Sequence, residues 1–170
     1  MTHLYKSIGW RNKRLAKSSA AMRGVAAVEF GILLPIMILM VFGISEFGRA
    51  IYEYNALAKS LRDVTRLLTQ NAPGNSTYPT ATQTKCLVVY GNSSCTPPKL
   101  VAGLDPNMVY VCNTLNSTSC PGKTFTNVAT GSGSINLVEV KIDGYVFNSL
   151  VPFITNNIPF GDISVTMRQP

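Results

Sequence analysis

One acid stands alone in the most apolar part of this chain. Glu29 is the single charge in Val25–Ser45, VAAVEFGILLPIMILMVFGIS, and Gly24 lies five residues before it, directly after Arg23. A carboxylate inside hydrocarbon is costly, of order +2.5–3.5 kcal/mol at mid-bilayer, so such acids need a partner. Scission of the Gly24–Val25 bond would create one, because the new ammonium of Val25 would stand one helical turn from Glu29. The chemistry expected here is ion pairing unmasked by proteolysis. The alternative is a Glu29 hydrated at headgroup depth.

The other reactive side chains are four cysteines, Cys86, Cys95, Cys112 and Cys120, separated by eight, sixteen and seven residues. None of these spacings is the short Cys-x2-Cys pair of a zinc site, and the single histidine, His3, is far away in the N-terminal arm. Two disulfides, and hence an oxidising compartment, are the better reading. Three pairings are possible; Cys86–Cys95 and Cys112–Cys120 are favoured, since each would clamp a short polar loop. No Gly-x-Ser-x-Gly elbow occurs, Gly131-Ser-Gly133-Ser lacks the lysine of a phosphate-binding loop, and Asp105, Asp143 and Asp162 sit beside turn residues. The expectation is a non-enzyme without cofactor or metal.

The elements that position these residues follow from charge and periodicity. Lys6, Arg11, Lys13, Arg14, Lys17 and Arg23 make residues 1–24 strongly basic without an acid, while the rest of the chain has nine basic and eight acidic residues. A nucleic-acid binder would spread basic groups over a folded face. Here they precede an apolar segment at once, which marks a leader or topogenic arm and argues against nucleic acid as partner. About 20 residues cross a hydrocarbon core of roughly 30 Å, so 25–45 reads as a transmembrane helix in lipid, with a cytoplasmic N-terminus and an exported remainder.

Beyond the span, Phe47, Ala50, Ile51, Tyr54, Leu57, Ala58, Leu61, Val64, Thr65 and Leu68 recur at three- and four-residue steps. Arg49, Glu53, Lys59, Arg62, Asp63 and Arg66 are placed on the outward side, with Lys59–Asp63 and Asp63–Arg66 spaced for ion pairs. This amphipathic helix, 46–70, continues the span until Pro73-Gly74 ends it. One helix from about Val25 to about Gln70 would be near 70 Å long. Residues 71–170 form a disulfide-containing, β-rich extracytoplasmic domain. Strands are expected at Cys86–Tyr90, Val109–Asn113, Leu137–Asp143 and Ile163–Arg168, and polar loops at 71–84 and 114–134. In the third strand Val138, Val140 and Ile142 oppose Glu139, Lys141 and Asp143. In the fourth, Ile163, Val165 and Met167 oppose Ser164, Thr166 and Arg168. The fold class is α+β, a small antiparallel sheet on the later half of a long helix, with that helix as the sheet's expected partner.

Residues Arg23–Arg49, RGVAAVEFGILLPIMILMVFGISEFGR, resemble the N-terminal signature of TadE-like pseudopilins, the minor pilins of tight-adherence (Flp, type IVc) pilus systems. The shared features are Gly-x-x-x-x-Glu-Phe, a mid-helix proline at Pro35 and the closing Glu46-Phe-Gly-Arg49. A closing aromatic stretch, Tyr145-Val-Phe147 to Pro152, and a last strand ending Met167-Arg168 are also similar to the family. The resemblance implies cutting between Gly24 and Val25 by a membrane prepilin peptidase. It further implies recognition and assembly through Glu29 and Phe30, with Glu29 pairing with the N-terminal amine of an adjacent subunit. Pro35 is expected to kink the helix. The implied partners are that peptidase, a major Flp-type pilin, other minor pilins and an inner-membrane assembly platform. The implied location is the inner membrane first, then the pilus or periplasmic side. The rival reading is an unprocessed, signal-anchored envelope protein that acts as an interaction module.

Overall fold

The computed structural model describes residues 18–151 and 157–170, with side chains from residue 24 onward. The side chains of the basic arm, His3, and Pro152 of the closing stretch lie outside the described residues. Two compact units divide the chain, Met1–Val41 and Phe42–Pro170. Helix α1 (Ser18–Leu68) supplies the described part of the first and opens the second.

In the first unit every residue from Gly24 to Val41 is exposed. Ala, Leu, Ile and Met dominate, and no turn-forming cluster interrupts them, so the backbone satisfies itself as a helix. Its apolar window reaches a mean hydropathy of 2.5 with none of it buried, which makes α1 long and apolar enough to cross a membrane. Pro35 lies inside α1 without interrupting it. Its missing N–H is a local loss that membrane helices tolerate.

The second unit, hereafter the head, has a core built on the later turns of α1. Leu57, Leu61, Val64 and Leu68 form one buried stripe. They meet Val109 and Val111 of β1 (Val109–Cys112), Val138, Val140 and Ile142 of β3 (Gly133–Ile142), and Ile163 of β6 (Ile163–Gln169). β3 is central, with β1 and β6 antiparallel on either side; Val140 stands opposite both Val111 and Val165. β2 (Val128–Thr130) folds back on the start of β3, and β4 (Val146–Phe147) pairs with β5 (Ile158–Pro159) as a separate ribbon. The helix-on-sheet α+β class is thus the observed one. The side chain of Gln169 closes α1, its Nε2 donating to the Leu68 carbonyl at 3.1 Å, which relieves one of the carbonyls a helix end leaves open.

Four expectations need correction. Cys86–Tyr90 is not a strand but the second half of α2 (Ala81–Tyr90), which also removes the loop reading for the end of 71–84. Its start is fixed by a capping box: Thr80 Oγ1 accepts the Gln83 N–H at 3.2 Å, and Gln83 Oε1 accepts the Thr80 N–H at 2.9 Å. Its end is fixed by Gly91 at φ 72°, a left-handed cap that returns its N–H to the Leu87 carbonyl. Through Val88 and Val89, α2 joins α1 in covering the sheet, so the helix is not the sheet's sole partner.

Segment 114–134 is not all loop, since it holds β2 and the first residues of β3. It also lays Phe125 and Cys120 over the far face of the sheet, against Cys112 and Leu137. Glu139 is therefore only 1% exposed, and Lys123 Nζ reaches it at 2.6 Å. The third correction concerns α1. Phe47, Ile51 and Tyr54 are exposed, whereas Arg49 and Glu53, read as outward, turn toward the head. The fourth is electrostatic: Lys59–Asp63 and Asp63–Arg66 do not come within ion-pair distance among the described residues, and Arg62 instead donates to the Ala58 carbonyl at 3.1 Å. Exposed pairs of this kind gain little over hydration.

Candidate processing segment and head clamp

The residues singled out by the sequence fall in two places. Gly24, Val25, Glu29, Phe30 and Pro35 all lie on α1 in the first unit, and all five are exposed; Val25 and Phe30 are 59% and 58% accessible. A Cβ added to Gly24 would meet nothing within 4 Å, so neither close packing nor an unusual backbone angle requires glycine there. Glu29 makes no ion pair among the described residues. The cysteines lie in the head, where Cys86 is joined to Cys95 and Cys112 to Cys120. The first bridge ties α2 to the loop after Gly91, and the second ties β1 to the segment that covers Glu139.

The head also holds a cluster that sequence reasoning missed. Glu46, Arg49 and Glu53 occupy the same stripe of α1 as Leu57 and Leu61, but they face the turn after β4. Arg49 Nη2 donates to Glu46 Oε2 at 3.0 Å and to the Asn148 carbonyl, and Nη1 donates to Glu53 Oε1 at 3.2 Å. Its guanidinium lies 4.4 Å above the centre of the Phe147 ring. Tyr145 donates its hydroxyl proton to Glu53 Oε2 at 2.7 Å, with the Ala102 carbonyl at 3.0 Å. The Leu150 N–H completes the set, donating to Glu46 Oε2 at 3.3 Å.

The electrostatics follow from these contacts. Burial alone would push the Glu46 carboxyl up, but hydrogen bonds from Arg49, the Leu150 N–H and Ser149 outweigh it and hold the group below the usual carboxylate range. Burial, together with the bond to the Glu53 carboxylate, pushes the Tyr145 phenol well above its ordinary value. The arrangement is a clamp: a cation between two anions fixes the 145–150 turn to α1. The spacing Glu46, Arg49, Glu53, at three and four residues, was the available signal. Nothing in it points to a turn about a hundred positions later.

Beside α1 an open groove of about 650 Å³ is lined by Tyr52, Ala56, Lys59, Ser60, Asp63 and Leu100 among others. Of the two hydroxyl-bearing residues among these, Ser60 donates to the Leu57 carbonyl at 3.2 Å. Among the described residues no group of three His, Cys, Asp or Glu side chains could hold a metal ion.

An exposed apolar helix followed by an α+β domain that buries the helix's later turns is the arrangement of a membrane-anchored, pilin-like protein. The family model of TadE-like proteins matches residues 24–66, so the chain carries a TadE-like segment that runs from Gly24 almost to the end of the buried stripe. No curated protein and no solved structure matches the chain.

Proposed function

We propose that this chain is a minor pilin or pseudopilin, a structural and non-enzymatic subunit that is cut after Gly24 by a prepilin peptidase and then enters, caps or primes a pilus. The observation that carries the reading is the segment 24–41: apolar on all sides, wholly exposed, and bearing one acid one turn beyond Val25. Such a surface is stable only in lipid or among other helices. An exposed acid within it is offset if a neighbouring subunit brings an ammonium.

Gly24 supports the same reading. It lies inside α1, and a bond held in a helix must open before a protease can take it in extended form. Glycine weakens a helix by about 1 kcal/mol relative to alanine, which suits it to that position, while no packing demand accounts for it. Before assembly the protein would sit in the inner membrane near an assembly platform, with its N-terminus cytoplasmic.

The test is the mature N-terminus of protein extracted from cells that make pili. Intact mass and terminal sequencing should give Val25. Gly24→Leu should leave the precursor uncut, and Glu29→Ala should be cut normally yet lower pilus yield several-fold. A functional native protein that still begins at Met1 would replace this reading with that of an uncut, signal-anchored interaction module.

A further inference from the structure

We propose that the first turns of α1 in the head, together with the Leu150 turn, form an apolar footing that seats the head on the surface of a phospholipid bilayer. The proposal rests on the reading that residues 25–45 cross the membrane. Phe47, Ile51 and Tyr52 are 68%, 45% and 75% exposed, so the head itself does not use them. Phe47 lies about 3 Å past Ser45 along the helix axis; Ile51 and Tyr52 lie about 9–10 Å past it, and because helical side chains lean back toward the N-terminus their ends come nearer to Ser45. The headgroup layer begins where the hydrocarbon ends and is roughly 5–7 Å deep on each side. Aromatic rings are favoured at that depth, with an apolar body inward and, for tyrosine, a polar tip outward.

The independent observation comes from far along the chain. Leu150 is 75% exposed, yet its backbone is fixed, because its N–H donates to Glu46 at 3.3 Å and the nearby Asn148 carbonyl is held by Arg49. Glu46 is the first charged residue after the apolar run. The clamp therefore keeps an exposed leucine level with the helix's exit from hydrocarbon, on the Glu46 side of α1, while Phe47 and Ile51 are exposed on the neighbouring turns of the same helix. Large apolar side chains exposed at one level of the molecule mark a site for another phase.

Charge indicates which part of the lipid is used. Residues 42–56 carry only Glu46, Arg49 and Glu53, and Arg49 is engaged by both acids. No free cation is offered to phosphate from this stretch, so the footing meets the apolar boundary of any phospholipid and does not select anionic headgroups.

The experiment uses the full chain in phosphatidylcholine nanodiscs. With the single native tryptophan removed as Trp10→Phe, one tryptophan is introduced at a time by Leu34→Trp, Leu150→Trp or Leu115→Trp. Quenching is read with lipids brominated near the glycerol end of the acyl chains and with aqueous acrylamide. Leu34 lies within the apolar run, and Leu115 is an exposed loop residue of the head at 73% accessibility. Leu150→Trp should be quenched by bromolipid at least half as strongly as Leu34→Trp, and should be several-fold less open to acrylamide than Leu115→Trp. Adding anionic lipid should change neither result. Leu150→Trp behaving like Leu115→Trp while Leu34→Trp is quenched overturns the footing alone. Escape of Leu34→Trp as well overturns the membrane-crossing reading and the footing with it. Protection of Leu150→Trp only when other pilus subunits are added, and not by lipid, identifies a protein surface and overturns the lipid assignment. Glu46→Gln in the Leu150→Trp background should at least halve the bromolipid quenching; unchanged quenching would remove Glu46 from the role of tether.

Discussion

Residues 25–44 and 57–68 belong to one helix and are both rich in large apolar side chains, yet they meet opposite fates. Leu57, Leu61 and Leu68 are at most 1% exposed, whereas Leu33, Met37 and Met40 are each more than half exposed. The later stretch is apolar along one stripe and polar elsewhere, so one protein core can cover it. The earlier stretch is apolar all round, and no single sheet could cover every side. The breadth of the apolar surface, more than its hydrophobicity, tells what will cover it: a stripe finds its own domain, and a full cylinder needs lipid or other helices.

The sharpest way to break that contrast is to delete the same atoms from both stretches. Leu61→Ala removes a fully buried side chain and should cost the head about 2–5 kcal/mol of unfolding free energy. Leu34→Ala should leave head stability within about 0.5 kcal/mol, as surface changes usually do. Chemical denaturation of the chain in micelles, followed by near-UV circular dichroism of the head, reads both. Equal losses would mean that the two stretches are not energetically distinct.

A smaller effect tests the charged start of the buried stripe. Arg49→Ala leaves Glu46 and Glu53 without their cation and uncovers the Phe147 ring. A loss of about 1–2 kcal/mol is expected, toward the lower end for a broken charged cluster because Arg49 remains partly solvated. The same denaturation measurement checks it, and Arg49→Lys should recover only part, since lysine cannot fork between two carboxylates. Stability unchanged in Arg49→Ala would reduce the clamp to a surface ornament.

Sequence periodicity carried the fold class, the end of α1 to within two residues, and the three long strands, because each buries a regular face. It failed where burial is created by distant chain. Val88-Val89 look like strand residues, and only the Thr80-x-x-Gln83 box and Gly91 mark them as helix. Glu139 alternates as an outward residue should; a disulfide-held segment then covers it. Arg49 and Glu53 look solvent-facing because charge usually is, and their partners at Tyr145 and Asn148 have no local signature. Gly24 and Glu29 stand out in the sequence for the contrary reason. Their signal is a local conflict, a charge and a helix-weakening residue in an apolar helix.

The smallest expected effect separates the two acids directly. Glu46 is held ionised by Arg49, the Leu150 N–H and Ser149, so its folded carboxyl lies below its unfolded range, ordinarily about 4.3 for glutamate. A group with a depressed folded value contributes stability that is present above the unfolded range and is lost as pH falls through the folded value. The wild-type head should therefore lose stability below about pH 4. Glu46→Gln keeps the shape, cannot ionise, and should be less stable at pH 6. Its deficit relative to wild type should shrink as pH drops toward 3. Glu29→Gln should leave the head's profile superimposed on wild type, because Glu29 makes no ion pair among the described residues and lies outside the unit that unfolds. A Glu46→Gln deficit that stays constant with pH would show that the carboxylate's shape, and not its charge, holds the turn. The clamp would then be a packing contact, with the arginine between its two acids incidental to it.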